Sequence, residues 1–206
     1  GFVPGSSGNV SVRADDRSFL ITPSAISLGD LQPDDFVQAD LKGQTLGDGR
    51  PSSEVGIHAL IYRARPDING VVHTHCAACT AFAMARKDFG EPCSLEIYST
   101  VGVPVLVPFA PPGEWGPCLE PVLQDADCFL LSNHGVVTLG ATLKEAANRM
   151  EEVENFARSL IFAKQLGGGC AFTGRELDRI HAFLDRIGVP RPRGASRSEQ
   201  GRSARE

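Results

Sequence analysis

No stretch of the chain approaches the ~20 consecutive apolar residues that a bilayer-spanning helix needs, so no membrane partner is expected. A signal-peptide pattern is also missing. There is no basic excess: the formal net charge is -5 over 206 residues, which gives nucleic-acid binding no support. Tyrosine is scarce, with only Tyr62 and Tyr98 present. The one C-x-x-C, Cys76 to Cys79, lacks the second pair of a zinc knuckle and a thioredoxin-like context. With no secretory signal, the six cysteines read as reduced thiols of a cytoplasmic protein, several of them small buried hydrophobes. What is present is ordinary for a globular chain, 42% apolar and 22% charged residues. No large apolar residue follows Val189, so residues 190–206, rich in Arg, Ser and Gly, are expected to form a disordered tail behind one domain at residues 1–189. The loop-like start at Gly1 is read as the remainder of an element missing upstream.

Hydrophobic periodicity predicts a hairpin over Val10–Arg13 and Ser18–Thr22, and strands at Phe36–Asp40, Gly70–His75, Val103–Pro108, Cys128–Ser132 and Val136–Leu139. Helices are predicted over Ser53–Arg65, with Ser52 or Ser53 as cap and Glu54 in the first turn, and over Cys76–Ala85. A short helix is predicted at Cys118–Leu123, a long one at Thr142–Leu166, and a last amphipathic one at Thr173–Ile187. Strands and helices alternate, yet many strands are joined by short turns. That mixture favours a layered α/β sandwich with a mostly antiparallel sheet over a doubly wound parallel one.

His73-Thr74-His75 is the sharpest local feature. Residues i and i+2 of a strand share a face, so both imidazoles can project side by side toward Zn²⁺, Fe²⁺ or Mn²⁺. H-x-H alone is a weak signal. His134 strengthens it, because it follows an apolar strand and precedes Gly135, which lets backbone approach closely. Three neutral histidines leave an open coordination position, the layout of a catalytic metal site. Glu54 supplies a carboxylate nearby; His58, one turn on, competes as a ligand, and His181 reads as structural. Gly5-Ser6-Ser7-Gly8-Asn9, Thr22-Pro23-Ser24 and Ser52-Ser53 are clusters of small and hydroxyl residues suited to an anion, although each alone is more often a turn or a cap.

In this order the segments Ser6–Arg13, Ile21–Ser24, Pro51–Glu54, His58–Tyr62, Val71–His75 and Asn133–Gly135 with Gly140 resemble the class II aldolase/adducin superfamily. The resemblance runs from Gly5 to about Leu166. It implies an α/β fold, a three-layer α/β/α sandwich around a mainly antiparallel central sheet, commonly in a C4 homotetramer. His73, His75 and His134 would be the metal ligands, Glu54 the acid/base, and Ser6, Asn9, Ser24, Ser52 and Ser53 the surroundings of a phosphate. The metal would be Zn²⁺ first, with Fe²⁺, Mn²⁺ or Co²⁺ as alternatives. The implied activity is cleavage or formation of a carbon–carbon bond in a short ketose phosphate, as in L-fuculose-phosphate aldolase, through an enediolate. Epimerase, dehydratase, decarboxylase and iron-dependent oxygenase chemistry share such a site, and a non-catalytic interaction module is the rival of a different class. Two departures stand out. Glu96, with Tyr98 two residues on, occupies the segment where the fuculose-phosphate enzymes are expected to carry a proton-donating tyrosine. Ala25 follows Ser24 where the family often has Gly.

Overall fold

The computed structural model describes residues 2–111 and 113–193. Its centre is a seven-stranded sheet built from β1 (Asn9–Arg13), β2 (Ser18–Ile21), β3 (Val37–Asp40), β4 (Gly70–Thr74), β5 (Val105–Val107), β6 (Cys128–Leu131) and β7 (Gly135–Gly140). The strand order is β3-β2-β1-β4-β7-β6-β5. Five neighbouring pairs are antiparallel and only β5 with β6 is parallel, so the expected mainly antiparallel sheet holds as a mixed one. The β1–β2 hairpin has the expected place, with Val12 opposite Leu20.

Alternation along the strands splits the core in two. Val71, Phe129, Leu131, Val137 and Leu139 join one cluster with Ile57 and Ile61 of α1 (Val55–Ala64) and with Leu119 of α4 (Gly116–Leu119). Val72, Cys128, Leu130 and Val136 turn the other way. They meet Cys79 and Phe82 of α2 (Ala77–Met84), Ile97 of α3 (Leu95–Thr100), and Met150, Val153 and Ala157 of α5 (Leu143–Gln165). Each sheet face is therefore covered by helices, the α/β/α sandwich that the family resemblance implied. Gly70 and Gly140 are cross-strand partners. A Cβ on Gly70 would stand 2.4 Å from Leu143 Cα, and one on Gly140 2.5 Å from Ala146 N, so both glycines let the start of α5 lie directly on the sheet.

Two expectations are corrected in detail. Helix α1 starts later than expected, with Glu54 itself at the N-cap and no side-chain cap bond; Ser52 Oγ instead accepts from Glu54 N at 3.3 Å. Helix α3 was not expected at all. It holds α6 (Gly174–Ile187) to the body through Tyr98, whose hydroxyl bonds His181 Nε2 at 2.8 Å. The first residues of the expected tail make ion pairs, Arg191 with Asp185 and Arg193 with Asp67 and Asp127; residues 194–206 lie outside the described residues. Among the described residues no helix is long and apolar enough to cross a membrane.

Glu154 is a buried carboxylate in the middle of α5. It accepts from Ala78 N and Cys79 N at 3.0–3.1 Å and from Arg158 Nε at 2.9 Å, and so caps α2 from a neighbouring helix. Burial opposes its charge, but the Cys79 and Ala78 amides, the Cys76 thiol and Arg158 together hold the carboxyl below the usual range. A depressed carboxyl stabilises the fold above its unfolded value of 4.5 and loses that contribution as pH falls. Glu154→Gln is expected to cost about 2 kcal/mol at pH 7 in urea unfolding, with the difference from wild type shrinking below pH 4.5. A constant difference across that range would refute the charge-assisted cap.

Candidate metal centre

Strand β4 delivers His73 to the end of the sheet, and the chain leaves the strand at Thr74 so that His75 follows one residue outside it. The turn from β6 to β7 brings His134 to the same point. Asn133 takes φ +59° there, a left-handed conformation that Asn accepts more readily than most residues. Its own amide N–H is held by the Ala83 carbonyl at 3.0 Å, and its side-chain oxygen accepts from Arg86 Nε. Nε2 of His73 lies 3.0 Å from Nε2 of His75 and 3.1 Å from Nε2 of His134. Glu54 closes the group, with Oε2 3.1 Å from His73 Nε2 and Oε1 2.8 Å from His134 Nε2. Ligand atoms of all four residues fall within 4.8 Å of one another.

The donor set fits a divalent cation. His73 Nδ1 is 3.0 Å from the Val136 carbonyl, which can only accept, so Nδ1 carries the proton and Nε2 presents a bare lone pair. Burial, with His73 and His134 beside it, lowers His75 to about 4, which leaves it neutral at physiological pH as a ligand must be. Converging lone pairs repel unless a positive charge lies between them. Nitrogens about 2.0–2.1 Å from one ion in tetrahedral array stand about 3.3 Å apart, close to the separations here. For Glu54, burial opposes ionisation, but the His134 and His73 imidazoles against it, when they are protonated in the metal-free protein, outweigh it and hold the carboxyl far below the usual range.

Gly135 fixes how closely these parts approach. A Cβ there would lie 2.5 Å from the Thr74 carbonyl oxygen, 2.8 Å from His75 Cδ2 and 3.1 Å from His73 Cε1. Because backbone and two imidazoles would all have to shift, Gly135→Ala is expected to weaken Zn²⁺ binding by about 10–100-fold, the cost of displacing groups that orient ligands. Competition against a chromophoric chelator measures it, and unchanged affinity would show the site to be slack.

The remaining residues singled out from the sequence divide. Asn9 is brought in: its Nδ2 donates to Glu54 Oε2 at 2.7 Å. An isolated bridge between Pro23 and Pro51 joins the loops carrying Ser24 and Ser52; Ser24 Oγ donates to the Pro51 carbonyl and Ser52 N to the Thr22 carbonyl. Ser53 is exposed and lines a pocket of about 200 Å³ with Glu54, Gly56, Arg63 and Trp115. Ser6 is exposed before β1 and is not hydrogen-bonded to this group. Ala25 has φ +66°, so it occupies a position that favours glycine. Tyr98 is buried and hydrogen-bonded to His181, and Glu96 stands exposed on α3; neither belongs to the group formed by Glu54, His73, His75 and His134. His58 is fully buried with both ring nitrogens engaged by Asn9 and Ser11, which removes it as a competing ligand. Burial, with His73 nearby, lowers it to about 3.

Two contributors were not anticipated. Trp115 packs edge-on against His134, ring centroids 5.6 Å apart, with its indole N–H buried and unpartnered. Ser11 and Tyr62 form the buried layer behind His58. The polar alternation Asn9-x-Ser11-x-Arg13 in an otherwise apolar strand is the signal that could have found Ser11; nothing in the sequence pointed to Trp115.

Residues 1–161 match the model of the Class II Aldolase and Adducin N-terminal domain. The chain is 35% identical over 168 residues to 3-oxo-tetronate 4-phosphate decarboxylase of Pectobacterium atrosepticum, covering 79% of this chain and 77% of that one. It is 37% identical over 164 residues to L-fuculose phosphate aldolase of Methanococcus vannielii, covering 76% and 85%. Among solved structures, YgbL of Escherichia coli superposes with a TM-score of 0.80 at 32% identity, covering 87% of this chain and 89% of the other.

Proposed function

The chain belongs to the class II aldolase and adducin family, and from that premise we propose that it is a metal-dependent carbon–carbon lyase acting on a short keto-sugar phosphate. The observation that carries this reading is the convergence of three imidazole Nε2 atoms with the Glu54 carboxylate in contact. In this proposal His73, His75 and His134 hold a divalent ion, Zn²⁺ first by its donor set. When bound, such an ion supplies Lewis-acid stabilisation of negative charge on substrate oxygens next to the bond that breaks. Glu54 moves the proton: it returns one to the carbon left electron-rich by cleavage, and removes one from that carbon in the reverse direction. Asn9 orients the Glu54 carboxylate through Oε2. Ser24, Ser52 and Ser53, on loops joined at Pro23 and Pro51, are proposed to meet the phosphate, with Ser6 folding in from its exposed loop.

Within this class two reactions compete, and the tyrosines favour one. Aldol cleavage requires a base to take a proton from the hydroxyl that becomes the aldehyde, whereas loss of CO₂ from a 3-oxo acid does not. Tyr62 and Tyr98 are the chain's only tyrosines; both are almost wholly buried and hydrogen-bonded, one to Ser11 and the other to His181. Decarboxylation of a 3-oxo-tetronate 4-phosphate is therefore the first reading, and aldol cleavage of a fuculose-phosphate-like ketose the second. Glu96 and Tyr98 retain no assigned role inside this chain. Homotetramer assembly and a cytoplasmic location are carried forward as parts of the same proposal, the first from the family resemblance and the second from six free cysteines.

The metal-loaded protein incubated with each substrate separates the two. CO₂ release from the 3-oxo acid phosphate, with no aldehyde from L-fuculose 1-phosphate, is expected. Aldehyde release alone would establish the aldolase, and neither product would remove lyase chemistry on these substrates.

A further inference from the structure

Strand β1 and helix α1 match in pitch. Two residues of strand advance about 6.6–6.8 Å and four residues of helix about 6.0 Å, so Asn9, Ser11 and Arg13 fall opposite Glu54, His58 and Tyr62. The contacts follow that ladder. Asn9 reaches both Glu54 and His58, and Ser11 reaches both His58 and Tyr62. Arg13 lies over the Tyr62 ring, 4.8 Å from its centroid, and donates to its carbonyl at 2.8 Å.

Chemistry fixes the direction of every bond in this ladder. An ionised Glu54 only accepts, so Asn9 turns its Nδ2 to Oε2 and its Oδ1 toward His58. Oδ1 also only accepts, so His58 Nε2 carries the proton across 2.5 Å. A neutral His58 then has a bare Nδ1, which takes the Ser11 hydroxyl proton across 2.6 Å. Ser11 has no second proton, so the Tyr62 hydroxyl donates to it across 2.8 Å. All four bonds donate toward Glu54.

We propose that His58, backed by Ser11 and Tyr62, is a positioning residue: it locks the Asn9 amide in the one orientation that donates to Glu54. Without it Asn9 is free to rotate by 180° and set Oδ1 against the carboxylate. The inference deepens the proposed function, since it takes Glu54 as the proton-transfer group.

Proton-detected ¹⁵N spectra of the Zn²⁺-loaded protein test the direction. The expected result is a His58 ring protonated at Nε2 only, and an Asn9 side-chain NH₂ protected from exchange. A His58 ring protonated at Nδ1 would overturn the ladder. Turnover tests its purpose on whichever phosphate, 3-oxo-tetronate 4-phosphate or L-fuculose 1-phosphate, is cleaved. His58→Gln, which can still donate to Asn9, is expected to stay within about threefold of wild-type kcat. His58→Phe is expected to lose about tenfold or more in kcat with KM and zinc content unchanged and Asn9 protection lost. Equal losses in the two variants, or loss of zinc in His58→Phe, would reduce His58 to core packing. If neither phosphate is cleaved, the functional reading fails while the ring tautomer and Asn9 protection still decide the ladder.

Discussion

Replacing His73 by alanine is expected to leave a folded protein that no longer retains metal or activity. Among the three histidines His73 is the central one, because its Nε2 lies within 3.1 Å of the other two Nε2 atoms and of Glu54 Oε2. It is also the one whose lone pair is aimed by a fixed backbone acceptor, the Val136 carbonyl. A site reduced to two imidazoles loses the closed geometry that holds an ion against buffer competitors, so metal content should fall from about one ion per chain to below about a tenth. Removing the charge stabilisation the ion supplies is worth several kcal/mol, about 10³-fold or more in turnover. Metal analysis after gel filtration, with circular dichroism to confirm folding, checks both parts. Retained metal in the variant would mean that the ion sits elsewhere.

Glu54→Gln should separate binding from chemistry. The amide keeps the size of the carboxylate and can still accept from Asn9, so metal content is expected to stay within about twofold. It cannot take up or return a proton, so kcat is expected to fall by about 10²–10⁴ with little change in KM. Activity near wild type would end the assignment of Glu54 as the proton-transfer group. Loss of the ion instead would make Glu54 chiefly a ligand, as its 2.8 Å approach to His134 allows.

Much of the centre was legible because it is built from local rules. Strand alternation predicts His73 beside His75, and the two rings do meet although β4 ends at Thr74; a glycine after His134 marks a close approach. The sandwich was legible from the order of strands and short turns. Helix α3 was not, because its sequence Leu-Glu-Ile-Tyr-Ser-Thr carries four residues of weak helix propensity and is held by tertiary contact, chiefly Tyr98 on His181. The role of Glu54 as N-cap was hidden by Ser52 and Ser53, better capping residues by type that here serve the loop. Glu154 read as one charge among many on a long helix. Only the fold reveals that it faces the start of α2. The ladder behind Glu54 joins residues 45 to 51 positions apart, and its pitch match becomes visible only when β1 and α1 are set side by side.

The most direct test of the account is the metal content of the purified protein, before and after reconstitution with Zn²⁺. About one ion per chain is expected, lost on chelation together with carbon–carbon cleavage and restored with it. A protein that binds no divalent ion even after reconstitution, with His73, His75 and His134 intact, would contradict it.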